Sequence, residues 1–131
     1  MKYVLGFVFI GSDKILLQLK NRGGDYLNGK LNGLGGKIEE GESAISAMVR
    51  EYFEETGDDR YLDWHKFSSI FYKNGVELNV FACTVSDGFY DNIEWSSQDS
   101  NAEKLFVFNL NDVDWNCCVS NLEHMIKLIL L

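Results

Sequence analysis

Three glutamates, Glu51, Glu54 and Glu55, follow a glycine-dense stretch in the segment LNGLGGKIEEGESAISAMVREYFEETG, positions 31–57. On a helix, spacing of i, i+3 and i+4 puts all three carboxylates on one flank. Glu51 and Glu55 are like charges one turn apart, which costs about 0.2–0.5 kcal/mol on an exposed helix. Partial cover raises that repulsion to roughly 3 kcal/mol at an effective dielectric near 20. A divalent cation turns the repulsion into coordination, and clustered carboxylate oxygens with open positions suit Mg2+ or Mn2+. Two readings compete here. One is a metal site; the other is a solvated helix face in which Arg50 pairs with Glu54 and Gly57 is a plain C-cap.

The elements that must position these acids follow from periodicity. A helix is predicted over 43–55, with Gly57 as its stop signal. Ile45, Met48, Val49, Tyr52 and Phe53 form an apolar stripe expected to face the core, with the three glutamates on the opposite side beside the small Ala44 and Ala47. Residues 31–38 read as short and extended. Strands are predicted at Lys2–Ile10 and Lys14–Leu19, joined by a turn at Gly11, Ser12 and Asp13, with a loop over 20–30. Two further strands, 61–72 and 76–85, turn at Asn74 and Gly75. A polar loop over 86–101, a strand over 105–110 and an amphipathic helix over 120–131 complete the chain. The order strands, helix, strands, helix implies the α/β class, a mixed sheet with a helix on each face. With 131 residues and no repeats or linker, one domain over 1–131 is expected.

Composition narrows the partners. The net charge is −8 and the Lys and Arg residues are scattered, which argues against a nucleic acid polymer. The apolar start, Tyr3 to Ile10, reads as a buried strand rather than a signal peptide, because a second apolar run begins at Ile15. No stretch approaches the ~20 apolar residues that span a bilayer, so no membrane partner is expected. Cys83, Cys117 and Cys118 are odd in number and lack metal-ligand spacing, which fits a reducing cytoplasm.

Spacing shifts the balance between the two readings of the acids. Gly36, Glu42, Arg50-Glu51, Glu54-Glu55 and Gly57 are separated by five, seven, two and one residues. Chance places these seven residues so in on the order of one chain in 10⁷ of this length. The pattern resembles the box of the Nudix hydrolases, the MutT-like family, and the flanking strand order resembles the Nudix fold. Two positions that are aliphatic in the family hold Tyr52 and Asp58 here. Tyr52 keeps the core stripe, whereas Asp58 ends the apolar register early.

The resemblance implies an enzyme that hydrolyses a diphosphate linked to another group. It implies divalent metal held by Glu51, Glu54, Glu55 and the backbone carbonyl of Gly35, with Arg50 orienting the glutamates and Glu42 bracing the loop. Glu54 or Glu55 would take the proton of the attacking water; among later acids Glu103 is the first candidate, followed by Glu94 and Asp99. Asn32, Gly36 and Lys37 belong to an NG-x-GGK entry like that of the oxidised-purine nucleoside triphosphatases, where the Asn helps read the base. Leu31 stands where those relatives commonly have Trp. Lys20 and Arg22 lie where the second strand opens into its loop, suited to phosphate. The expected reaction releases a nucleoside monophosphate and pyrophosphate from a nucleoside triphosphate such as 8-oxo-dGTP. Cleavage of ADP-ribose, a nucleotide sugar or a dinucleoside polyphosphate is the alternative, and a non-catalytic nucleotide sensor is a third. A monomer or homodimer is expected.

Overall fold

The computed structural model describes residues 1–20, 29–96 and 104–131. The central strand β1 (Lys2–Ile10) pairs antiparallel along its second half with β2 (Lys14–Leu19). Two short strands, β3 (Leu31–Asn32) and β4 (Leu34–Lys37), occupy the predicted extended segment, split at Gly33. A Cβ at Gly33 would stand 2.8 Å from the Phe7 ring, so the chain crosses β1 there only as glycine. The strand β3 pairs with β2, and β4 pairs with the first half of β1, Leu5 opposite Gly35 and Val4 opposite Gly36. After helix α1 (Ala44–Thr56) come β5 (His65–Phe71) and β6 (Glu77–Val85), an antiparallel pair turning through Gly75 at φ 87°. All nine residues of β1 run parallel to β6, which makes the sheet mixed. The strand β7 (Lys104–Asn109) pairs with β2, and helix α2 (Leu122–Ile129) follows two short 3-10 turns.

Alternation along β1 sorts the core into two layers. Val4, Val8 and Ile10 join Leu16, Met48, Tyr52, Trp64 and Phe81 under α1. Leu5, Phe7 and Phe9 join Ile15, Leu17, Leu122 and Ile126 under α2. The mixed sheet therefore lies between two helices, as the element order implies. Among the described residues no helix is long and apolar enough to cross a membrane.

Two expectations need correction. The strand predicted over 61–72 begins only at His65. Leu62 and Trp64 do alternate inward, at 5% and 9% exposure, but as plugs of the α1 layer: Trp64 N–H donates back to the Leu62 carbonyl at 2.9 Å, outside any named strand. The second correction concerns the face that α1 buries. Met48 and Tyr52 are buried, yet Ile45, Val49 and Phe53 are 43%, 54% and 40% exposed. Ala47, Met48, Tyr52, Glu55 and Thr56 turn inward instead. The small Ala47 lets the helix approach the sheet, and Gly6 on β1 makes room for it, since a Cβ there would stand 2.7 Å from Met48 Sδ. The helix is thus rotated toward its acidic flank. The carboxylates lie along the margin between sheet and solvent, not opposite the core.

Candidate active site

The acidic helix has well-defined ends. Ser43 is its N-cap, accepting from the Ser46 amide at 3.2 Å. Gly57, at φ 75°, closes it with its N–H on the Phe53 carbonyl at 2.8 Å. Strand β4 brings the glycine turn against the acids. A Cβ at Gly36 would stand 2.6 Å from the Glu51 Cδ, and one at Gly35 would stand 2.8 Å from the Val4 carbonyl carbon. Only glycines at these two positions let the Glu51 carboxylate lie on the β4 backbone while β4 stays on β1.

Arg50 ties the acids to the loop before the helix. Its Nε and Nη2 grip the two Glu42 oxygens at 2.8 and 2.9 Å, a bidentate pair. Nη2 also donates to the Lys37 carbonyl at 3.0 Å, while Nη1 donates to Glu51 at 3.0 Å and Glu54 at 3.1 Å. Glu42 further accepts from the Glu39 amide at 3.0 Å, so the turn over 39–42 hangs on one carboxylate. Hydrogen bonds from Arg50, then from the Glu39 backbone, hold the Glu42 carboxyl down at about 2. Glu42 in turn raises the Arg50 pKa further. Burial pushes the Glu51 carboxyl up, against the opposing pull of Arg50. The side chains differ in access: Glu51 is 14% exposed, Glu54 40%, and Glu55 is buried.

Among the described residues, no three His, Cys, Asp or Glu side chains converge into a ready cation cage. Arg50 Nη1 stands between Glu51 and Glu54 instead. The donor chemistry nevertheless matches a hard divalent ion: all-oxygen, carboxylate-rich, partly open, and set against a backbone wall that a Cβ would fill.

Beside this margin lies an open cleft of about 580 Å³. Three predicted substrate contacts line it, Lys20, Asn32 and Gly36, together with Gly35, the predicted metal-binding carbonyl. Lys20 is buried at 5% exposure and donates to Gln18 Oε1 at 3.1 Å. Asn32 Oδ1 accepts from the Gly33 amide at 2.8 Å, which commits its carbonyl oxygen to the turn. Lys37 does not line the cleft. Its carbonyl serves Arg50, and its side chain borders a separate depression with Met1, Lys2 and Glu39. Glu94 borders another depression, with Thr56, Asp58 and Arg60, at the C-terminal end of α1. Arg22, Asp99 and Glu103 lie outside the described residues.

Sequence reasoning missed Tyr72, Asn74, Asn121 and Met125 on the cleft wall. Asn74 was legible only as a turn residue. Asn121 caps α2 with φ 69°, a left-handed conformation that asparagine tolerates. An asparagine just ahead of an amphipathic run carried that signal, but nothing in the linear pattern places it across from Asn32.

The NUDIX domain family matches residues 2–116. The chain therefore belongs to the Nudix family, whose hydrolases act on pyrophosphate bonds and generally use divalent metal ions. No curated protein sequence matches it significantly. Among solved structures, a MutT from work on Aliivibrio salmonicida and Vibrio cholerae is similar at 20% identity and TM-score 0.69, covering 98% of this chain and 93% of that one. A Nudix-family hydrolase of Clostridium perfringens is similar at 20% identity and TM-score 0.68, covering 98% and 94%. The NUDIX domain of Shewanella oneidensis NrtR, in complex with ADP ribose, reaches TM-score 0.76 at 16% identity, covering 98% and 85%. At these identities the likeness is one of fold.

Proposed function

We propose that this protein is a Mg2+- or Mn2+-dependent pyrophosphohydrolase, one Nudix unit over 1–131, that cleaves a nucleoside triphosphate to the monophosphate and pyrophosphate. One observation carries the reading: the acidic margin and the cleft share a wall. Gly36 lines the cleft and also abuts the Glu51 carboxylate. A nucleotide seated over Gly35 and Gly36 has its phosphates beside the carboxylates.

Glu51, Glu54, Glu55 and the Gly35 carbonyl would hold the metal, which when bound neutralises phosphate charge and acidifies a bound water. The remaining roles belong to this chain. Arg50 keeps Glu51 and Glu54 from repelling one another and fixes the turn over 39–42. Glu54 is the more exposed of the two box carboxylates suited to take a proton from water. Glu103 is the later acid retained as an alternative. Lys20 supplies positive charge inside the cleft of a protein of net charge −8, where an anionic substrate needs it. With its oxygen on Gly33, Asn32 has its NH2 group to offer, which selects an acceptor edge of a base.

Cleavage of a diphosphate-linked compound is the second reading, favoured by the fold's likeness to an ADP-ribose-bound NUDIX domain. Incubation with canonical and oxidised nucleoside triphosphates, ADP-ribose, nucleotide sugars and dinucleotides, with phosphate products resolved, separates the two. Pyrophosphate release supports the first reading, and two monophosphate esters support the second. Tight nucleotide binding without turnover in Mg2+ or Mn2+ would overturn both.

A further inference from the structure

The two residues that depart from the family box touch each other. Tyr52 Oη donates to Asp58 Oδ2 at 2.6 Å. Both are buried, at 3% and 8% exposure, with Tyr52 in the core layer under α1. Without Tyr52, Asp58 Oδ2 would lose the bond it accepts there, and without Asp58 the Tyr52 hydroxyl would keep only Tyr90. Placed together they complete one network. Tyr52 Oη also lies 2.8 Å from Tyr90 Oη, and Asp58 Oδ1 accepts from Arg60 Nε at 2.8 Å. Arg60 stacks over the Phe89 ring at 3.7 Å and donates to the Phe89 carbonyl at 2.9 Å. Burial raises the Asp58 carboxyl, but the bonds from Arg60 and Tyr52 outweigh it and the net direction is down.

The network joins two segments far apart in sequence. Tyr52 and Asp58 flank the last turn of α1, while Phe89 and Tyr90 belong to the loop over 86–96. That loop is pinned to the same turn at its far end, where the Ser96 amide donates to the Thr56 carbonyl at 3.0 Å. Thr56 Oγ1 donates to the Tyr52 carbonyl at 2.7 Å and accepts from the Asp58 amide at 3.0 Å. A Cβ at Gly57 would stand 2.9 Å from Ser96 Cβ, so the loop packs directly on the helix end. The buried Glu55 sits inside this clamped turn.

We propose that Tyr52 and Asp58 are a positioning pair: together they replace two aliphatic residues of the box and lock the 86–96 loop across the end of the acidic helix, holding Glu54 and Glu55 in register with β4. Neither residue lines the cleft. The catalytic consequence rests on the hydrolase reading above; the lock itself does not.

A double-mutant cycle with Tyr52→Phe, Asp58→Val and the pair together tests this on the full chain. Tyr52→Phe keeps the ring in the core and removes only the oxygen, so it folds even where Asp58→Val does not, and Asp58→Asn then replaces the latter. Three readouts are taken: urea unfolding, amide hydrogen exchange over 86–96, and kcat and KM on the preferred nucleotide with Mn2+. Each single variant is expected to lower the folding constant about tenfold, with the double variant losing roughly tenfold less than the product of the two. Exchange at Ser96 should rise in both single variants. The kcat should fall by about fivefold or more with KM nearly unchanged, since the acids and not the cleft are disturbed. Additive stability effects, an unchanged Ser96 amide, or losses in KM alone would overturn the proposal. A wild-type protein that hydrolyses none of the nucleotides defeats the hydrolase reading, while the cycle and the exchange data still decide the lock.

Discussion

Removing Arg50 exposes how much of the site depends on one guanidinium. The side chain makes five hydrogen bonds: two to Glu42 and one each to Glu51, Glu54 and the Lys37 carbonyl. Its side chain is 23% exposed, which places it between two limits. Breaking a fully buried pair costs about 3–5 kcal/mol, and an exposed pair about 0.2–1 kcal/mol. Arg50→Ala should therefore destabilise by about 3 kcal/mol, and it leaves Glu51 and Glu54 facing one another. For 131 residues the unfolding entropy is roughly 0.28 kcal/mol per kelvin, so Tm should fall by ~11 °C. Arg50→Lys keeps the charge but not the fork, and should lose about half as much. Urea unfolding with linear extrapolation, paired with thermal scans, measures both. Millimolar Mn2+ should raise the Tm of Arg50→Ala more than that of the wild type, because a cation then relieves the repulsion. An Arg50→Ala protein within about 0.5 kcal/mol of wild type, or one that Mn2+ fails to rescue, would refute the reasoning.

Three further outcomes are expected. Glu42 is held at about 2 in the folded chain against an ordinary 4.5, so its stabilisation is complete above pH 4.5 and is lost as pH falls toward 2. Glu51 is shifted the other way, so the difference between wild type and Glu42→Gln in urea titrations from pH 5 to 2 isolates the effect. Gly36→Ala should displace the Glu51 carboxylate and cut metal-dependent turnover by roughly tenfold or more, whereas Gly35→Ala, which meets the Val4 backbone, should lower Tm as well as turnover by pushing β4 and its Gly35 carbonyl off β1. Met48→Ala should cost about 2–5 kcal/mol, and Val49→Lys, on the exposed ridge, under about 0.5 kcal/mol. Equal losses at these two positions would contradict the observed rotation of α1.

Local signals made much of this legible. Ser43 and Gly57 carry cap chemistry in their side chain and in its absence, so the ends of α1 follow from sequence. The box marks Glu42 and Arg50 as separate members, and their direct bidentate pairing emerges only in the structure. The rotation of α1 did not follow from sequence, because hydrophobicity weighs Ile45, Val49 and Phe53 above Ala47, whereas the structure seats Met48 against Gly6 and Glu51 against Gly36 and buries Ala47. Leu62 and Trp64 alternate like a strand but find the helix layer and no ladder partner. Asp58 reads as a break in the apolar register because its partner, the Tyr52 hydroxyl, sits on a residue that periodicity assigns wholly to the core. The cleft combines β1, β3, β4, the β5–β6 turn, the start of β6 and the N-cap of α2, with Lys20 just past the end of β2, a meeting that only the sheet order creates.

The most direct measurement is turnover by Glu54→Gln, with Mg2+ or Mn2+ and the best nucleoside triphosphate, on protein whose Tm matches the wild type. The swap removes one anionic oxygen from the margin and leaves the buried face of α1 intact. The account predicts a fall in kcat of about 10² or more with the folded state preserved. Near-normal turnover would contradict the assignment of this acidic margin as the seat of the chemistry.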